Sequence, residues 1–224
     1  MSRKILIAAT SNAFLGATGK ATGAYVSEMA HPWATFIDVG YEVELVSVRG
    51  GAIPLDGVDR NDAVNAHFLD DEAIANQLRA SRDATQINPR DYAAIFFAGG
   101  HGTMWDFPNA HALLALARDI YQRDGVIGAV CHGPAALVNL TLSDGRYLVA
   151  GKAVAAFTNA EESAAGLTDV VPFLLHDGLA ARGARLHAAA NWAANVITDG
   201  RLVTGQNPAS AAGVAQAMLR VLHG

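Results

Sequence analysis

Val126-Ile127-Gly128-Ala129-Val130-Cys131-His132-Gly133-Pro134-Ala135-Ala136-Leu137 sets the frame for the chain. An apolar run with the character of a buried strand ends on the only cysteine in the sequence. A Gly-Pro pair and an Ala/Leu run follow at once. Strand, sharp turn and helix in that order place a nucleophile at the top of a sheet, above the backbone N–H groups of a new helix. Such N–H groups favour negative charge. They are expected to lower the thiol pKa from about 8.5 into roughly 3.5–7.5 and to stabilise an oxyanion formed by attack on a carbonyl. Pro134 suits the first helical turn, where its missing N–H costs nothing. A free cysteine is more often a small buried hydrophobe; the flanking pattern is what argues for a reactive thiol here.

Outward from this turn, strands and helices alternate. Lys4–Thr10, Glu42–Val48, Ala93–Ala98 and Ala153–Phe157 read as further strands. Ala24–Val39 reads as a helix with Val26, Met29, Trp33, Phe36 and Ile37 near helical spacing, kinked or split by His31-Pro32 and closed by Gly40. Asn109–Arg123 reads as a helix capped by Asn109, and Val170–Arg182 and Ala209–Leu222 as later ones. Ala184–Ala188 reads as a short strand. Asp199-Gly200-Arg201, between two β-branched runs, signals a hairpin. Residues 50–89 form an excursion with one expected helix near 70–81. The alternation predicts an α/β sandwich with a mostly parallel sheet and helices on both faces, in one domain over residues 1–224. Ligands of such sheets sit beyond the carboxyl ends of the strands. Glycine loops and polar residues gather after Thr10, Ala98, Val130 and Phe157, at those same ends. The loop Gly16-Ala-Thr-Gly19 lacks both the Lys-Ser/Thr of a P-loop and the spacing of a dinucleotide fingerprint.

Composition narrows the classes further. With 51% hydrophobic and 17% charged residues the chain is globular, and a net charge of −5 argues against nucleic-acid or anionic-membrane partners. One cysteine cannot make an internal disulfide, the N-terminal apolar run is too short for a signal peptide, and no run approaches a membrane span. A cytoplasmic protein is the expectation. The histidines are scattered, so no metal site is expected.

A thiol nucleophile needs a base, and the base an orienting group. His132 is adjacent, and a sharp turn breaks the strand alternation that would point it away. His101, in the glycine loop after a strand, and His31 are its competitors. Glu161 and Glu162 lie just past a strand end, where one could orient an imidazole and the other supply acidity at a helix start. Glu28 lies on an apolar helix face, as a capping or paired acid or as a protonated carboxyl used in proton transfer.

Several blocks of sequence, taken in order, resemble the DJ-1/ThiJ/PfpI superfamily, and within it the Hsp31-like branch. They are Glu28 with His31-Pro32; Phe36, Gly40 and Glu42-Val43; and Ala98-Gly-Gly-His-Gly-Thr-Met-Trp-Asp106. They continue with Ala129-Val-Cys-His-Gly-Pro134; Phe157-Thr158 with Glu162; and Ile197-Thr-Asp-Gly-Arg-Leu-Val-Thr-Gly205 through Asn207-Pro-Ala-Ser210. The resemblance implies a flavodoxin-like fold and a Cys131–His132–Glu162 triad. It also implies a proton-transfer role for Glu28 beside the sulfur, and an oxyanion hole from the backbone N–H groups of Gly100 and His132. It implies a glutathione-independent glyoxalase that turns 2-oxoaldehydes into 2-hydroxy acids without a cofactor, as a homodimer. A stress chaperone holding unfolded proteins and a cysteine-dependent peptidase or amidase are the alternatives within the superfamily.

Overall fold

In the computed structural model, which describes residues 3–224, one seven-stranded sheet carries the chain. Its strands are β1 (Lys4–Ala9), β2 (Glu42–Ser47), β3 (Arg82–Asp83), β4 (Ala94–Phe97), β5 (Val126–Val130), β6 (Val196–Asp199) and β7 (Leu202–Gly205). Their order is β6-β7-β5-β4-β1-β2-β3. Every neighbouring pair is parallel except the hairpin β6–β7, whose Asp199-Gly200 turn places Gly200 at φ +61°. The inner strands β1, β4, β5 and β7 are buried almost throughout, as a sheet covered on both faces requires.

The helices are α1 (Val26–Ile37), α2 (Ala63–Asp70), α3 (Glu72–Arg79), α4 (His111–Gln122), α5 (Asn159–Ala164), α6 (Leu175–Ala181) and α7 (Ala211–His223). Helix α1 packs on α7 and α2, and α7 packs on β5 and β7. Helix α4 also packs on β5, and on β4, without belonging to that group, which puts it on the other face. The result is the α/β sandwich the alternation predicts. Among the described residues no helix is long and apolar enough to cross a membrane.

Five local expectations need correction. Pro32 neither splits α1 nor ends it: Met29, Trp33 and Phe36 are buried on either side, and their packing holds the helix together past the missing N–H. The 50–89 excursion holds two helices, not one, because Asp62 and Asp71 each cap a helix start through side-chain bonds to backbone N–H groups. Asn109 does not cap α4; it ends a 3-10 turn (Phe107–Asn109), and Ala110 precedes the helix without a side-chain cap. The segment after Cys131 is a 3-10 helix (Gly133–Val138), tighter than the expected α-helix. The strand expected over Ala153–Phe157 shrinks to Ala153–Val154, which pairs with Arg185–Leu186 outside the main sheet.

Chain approaches around the Cys131 turn are too close for side chains. A Cβ on Gly133 would lie 2.2 Å from the Phe97 carbonyl oxygen, and one on Gly100 would lie 2.2 Å from that of Gly23. Backbone on both sides leaves no room to yield. Gly133→Ala is therefore expected to cost about 2 kcal/mol or more, and to lower the melting temperature by roughly 4–8 °C in calorimetry. An unchanged melting temperature would contradict this packing.

Candidate active site

Strand β5 delivers Cys131 to the carboxyl end of the sheet. The next step of chain leaves strand geometry: Cys131 sits at φ +58°, a left-handed conformation rare for a residue with a side chain. Two backbone bonds hold it there. The Cys131 N–H donates to the Gly205 carbonyl at the end of β7, and the Phe157 N–H donates to the Cys131 carbonyl, both at 3.0 Å. The turn aims the thiol at the N–H groups of His132 and Gly100, which both bond the sulfur.

An imidazole lies beside it. His132 Nδ1 is 3.4 Å from Cys131 Sγ, and His132 Nε2 is 2.8 Å from Glu162 Oε2. A carboxylate only accepts, so Nε2 carries the hydrogen and Nδ1 keeps its lone pair toward the thiol. Glu162 takes a second imidazole: His101 Nε2 donates to its Oε1 at 2.9 Å. The rings of His101 and His132 lie 4.1 Å apart, and Phe157 covers His132 at 4.2 Å. His101 thus joins the site. Its place in the glycine loop after a strand was the available signal. His31 does not; it pairs with Asp62 at 2.8 Å on the flank of α1.

Folding thus clusters residues that look scattered along the chain. His101, His132 and Glu162 offer ligand atoms within 4.8 Å of one another, a cluster that their positions along the chain do not reveal. The three come from three separate segments: the loop after β4, the turn after β5 and helix α5.

Of the two adjacent acids, Glu161 takes the helix-start role. It closes a capping box with Thr158, accepting from Thr158 N and Oγ1 at 3.0 Å while its own N–H donates to Thr158 Oγ1. Its other oxygen accepts from Trp192 N, Gln206 Nε2 and Asn207 Nδ2. Trp192, at φ +65°, was not singled out by sequence; its ring packs 5.7 Å from that of Phe157.

Glu28 enters from α1 on the other side of the thiol. It is fully buried; Oε2 accepts from the Gly99 N–H at 2.8 Å, and Oε1 has no hydrogen-bond partner among the described residues. A Cβ on Gly99 would lie 2.5 Å from that Oε2, so glycine is needed for the approach.

Burial sorts the proton affinities. It pushes the Glu28 carboxyl up to about 8, against its bonds to Cys131 and Gly99. It pushes the His132 imidazole down to about 4, against the pull of Glu162. On Glu162 burial works upward, but His101 and His132 outweigh it and hold the carboxyl at about 2. The thiol departs from expectation. Burial raises it, and an ionised Glu28 alongside raises it further, so the N–H groups of His132 and Gly100 do not win in the resting enzyme. Cys131 and Glu28 therefore compete for protons and are not both ionised.

This is the sheet-end thiol site of a class of α/β proteins, and the comparisons identify it. The chain belongs to the DJ-1/PfpI family, whose model matches residues 20–221. It is 36% identical over 231 residues to "Glyoxalase 3" of Candida albicans, covering 95% of each chain. It is 36% identical to "Glutathione-independent glyoxalase HSP31" of Saccharomyces cerevisiae, covering 93% of each. Among solved structures, glyoxalase III from Candida albicans superposes with a TM-score of 0.87 at 33% identity, over 97% of this chain and 96% of that one. Rapid Encystment Protein 24 KDa of Francisella tularensis superposes with a TM-score of 0.95 at 42% identity, over 99% of both chains.

The raised Glu28 carboxyl makes stability depend on pH in a definite direction. Between the unfolded value of 4.5 and the folded value of about 8, the folded chain holds a proton that the unfolded chain releases. This contribution is complete below pH 4.5 and is lost as pH rises toward 8, by up to about 1.4 kcal/mol per pH unit. Glu28→Gln should therefore be more stable than wild type, by a margin that widens from pH 5 to pH 8 in urea denaturation. A margin that does not vary with pH would show that the buried carboxyl is ionised at all these pH values.

Proposed function

We propose that the protein is a glutathione-independent glyoxalase that converts small 2-oxoaldehydes such as methylglyoxal into 2-hydroxy acids, with Cys131, His132 and Glu162 as triad and Glu28 as the proton-transfer acid. The observation that carries this reading is the pair of carboxyls flanking one thiol in opposite states: Glu162 ionised behind His132, Glu28 buried with a proton affinity near neutral pH. A hydrolase triad has use for the first. A carboxyl poised to give and take a proton beside the sulfur is what an internal 1,2-proton shift requires. The full-length likeness to proteins named as glutathione-independent glyoxalases supports the same chemistry.

The steps balance without an external cofactor. The thiol adds to the aldehyde carbon; its proton passes through His132 Nδ1 to the former carbonyl oxygen, giving a hemithioacetal. The N–H groups of Gly100 and His132, which face the sulfur in the free enzyme, hold the developing oxyanion. Ionised Glu28 takes the proton from the carbon that bears sulfur while the hydroxyl next to sulfur passes its proton to the neighbouring ketone oxygen, so an enediolate forms. Return of the Glu28 proton to the second carbon leaves a thioester. Water cleaves the C–S bond, releases the hydroxy acid and restores the thiol. No net oxidation occurs.

Access matches small substrates. Cys131 is only 4% exposed, and the loop that carries Gly16 packs against Trp105. This favours a small aldehyde over an extended peptide.

With methylglyoxal and no glutathione, the wild-type protein is expected to form D-lactate. Cys131→Ala should abolish turnover, and Glu28→Gln should reduce it by about 10²-fold or more. A chiral lactate assay on the three proteins decides the matter. Substantial lactate from Cys131→Ala, or none from reduced wild type, would sink the reading.

A further inference from the structure

We propose that His101, His132 and Glu162 also form a zinc-binding site, and that filling it turns the thiol chemistry off. The donor set is two imidazoles and one carboxylate, a combination that suits zinc and leaves a fourth position open. The geometry is close to ready. His101 Nε2 and His132 Nε2 stand 2.9 and 2.8 Å from the two oxygens of the same Glu162 carboxylate. All three ligand atoms lie within 4.8 Å of one another. Zinc with bonds of about 2.0–2.1 Å holds tetrahedral ligands roughly 3.3–3.4 Å apart, so small shifts of the three side chains admit the ion. The two rings are inclined at 43°, and a tilt between the rings lets their planes meet at a shared ion.

The surroundings fit a bound ion as well. Phe157 shields His132 on one side. His101, with 20% of its side chain exposed, gives the ion a route in from solvent, while His132 and Glu162 are buried. The second nitrogen of His132 already has a partner in the Cys131 sulfur, 3.4 Å away, which holds the ring in place as outer partners of metal-bound histidines do.

Zinc and catalysis exclude one another at one atom. In the triad, His132 carries hydrogen on Nε2 and offers the Nδ1 lone pair to the thiol. Zinc takes the Nε2 lone pair, so the hydrogen moves to Nδ1 and the ring can no longer accept the thiol proton. Glu162 is withdrawn from its orienting role by the same event. His101 is the added ligand that makes this a three-point site, where the His132–Glu162 pair alone would offer two.

The inhibitory half of this inference rests on the glyoxalase reading; the binding half does not. The test titrates zinc into the reduced protein against a chromophoric chelator. Wild type should bind one zinc ion. His101→Ala and His101→Gln should each weaken binding about tenfold or more; the Gln variant keeps an amide to donate to Glu162, and melting temperatures establish that both fold. Cys131→Ser, whose hydroxyl can still accept from His132 Nδ1, should keep binding zinc, since the thiol is not a ligand. Zinc should inhibit lactate formation in step with its occupancy, with full recovery on adding EDTA. Alkylation of the single cysteine by iodoacetamide, followed by mass, should slow on adding zinc, and it provides that readout if no 2-oxoaldehyde is turned over. Wild-type affinity in both His101 variants, or loss of binding in Cys131→Ser, would overturn the site. Zinc bound at the site with turnover and alkylation unaffected would overturn the inhibition.

Discussion

The site depends on one strained residue. Cys131 is held in left-handed backbone at a cost of about 1–2 kcal/mol. Two backbone hydrogen bonds fix it, one to Gly205 and one from Phe157. Each partner belongs to a different part of the fold, β7 on one side and the segment leading into α5 on the other. The turn is therefore over-determined by the sheet, and it cannot relax without breaking bonds in both. Residues without side chains make the surroundings possible: Gly133 lets the chain pass the Phe97 carbonyl, and Gly100 lets it pass that of Gly23. Strain of this kind is commonly stored where chemistry needs a fixed direction. Here it aims the sulfur at two N–H groups and sets the His132 ring next to it.

Once the sulfur is fixed, the electrostatics follow from unequal surroundings. Glu28 and Glu162 are both nearly inaccessible to solvent, yet their proton affinities separate from about 8 to about 2. Burial acts upward on both. What differs is the number of strong donors: Glu162 has two imidazoles, whereas among the described residues the only backbone donor to Glu28 is the Gly99 N–H. The same division fixes the His132 tautomer. An ionised Glu162 demands a hydrogen on Nε2, and burial opposes a second proton on the ring, so the lone pair must face the thiol. The thiol therefore keeps its proton in the free protein, which revises the simpler picture of a resting thiolate above a helix N-terminus.

The sheet and the nucleophile turn were legible because each carries a local signature: β-rich apolar runs, glycines at strand ends, an Asp-Gly hairpin, Cys-His-Gly-Pro. The elements misread are those governed by short-range capping or by tertiary packing. Asp62 lies in the excursion ahead of its one expected helix and Asp71 inside that helix, and both are helix caps. Pro32 looked like a break and is carried through by buried neighbours. Within the site, Cys131 and His132 are adjacent and could be proposed from spacing, but no spacing rule pairs His101 with Glu162 across 61 residues. Thiol acidity was misjudged for the same reason: the turn is visible in sequence, whereas burial beside Glu28, delivered from α1, is a property of the assembled fold.

The adjacent acids Glu161 and Glu162 show how one helix turn serves two purposes. Neighbouring residues in a helix point about 100° apart, so their carboxylates leave α5 on different sides. Glu162 turns toward the imidazoles. Glu161 turns away and gathers bonds from Thr158, Trp192, Gln206 and Asn207. Although burial raises its proton affinity, these donors, Asn207 foremost, bring it below the ordinary carboxylate range, so it stays ionised and keeps all of them. Through them it ties α5 to the end of β7 and to the segment that carries Trp192 over Phe157. The sheet already fixes the Cys131 turn through Gly205 and Phe157. Glu161 fixes the helix that bears Glu162 to the same two regions, so sulfur and carboxylate are referred to one frame. A change in either acid thus acts on different physics: at Glu162 on the charge that orients His132, at Glu161 on the distance between the elements that hold His132 and Glu162 together.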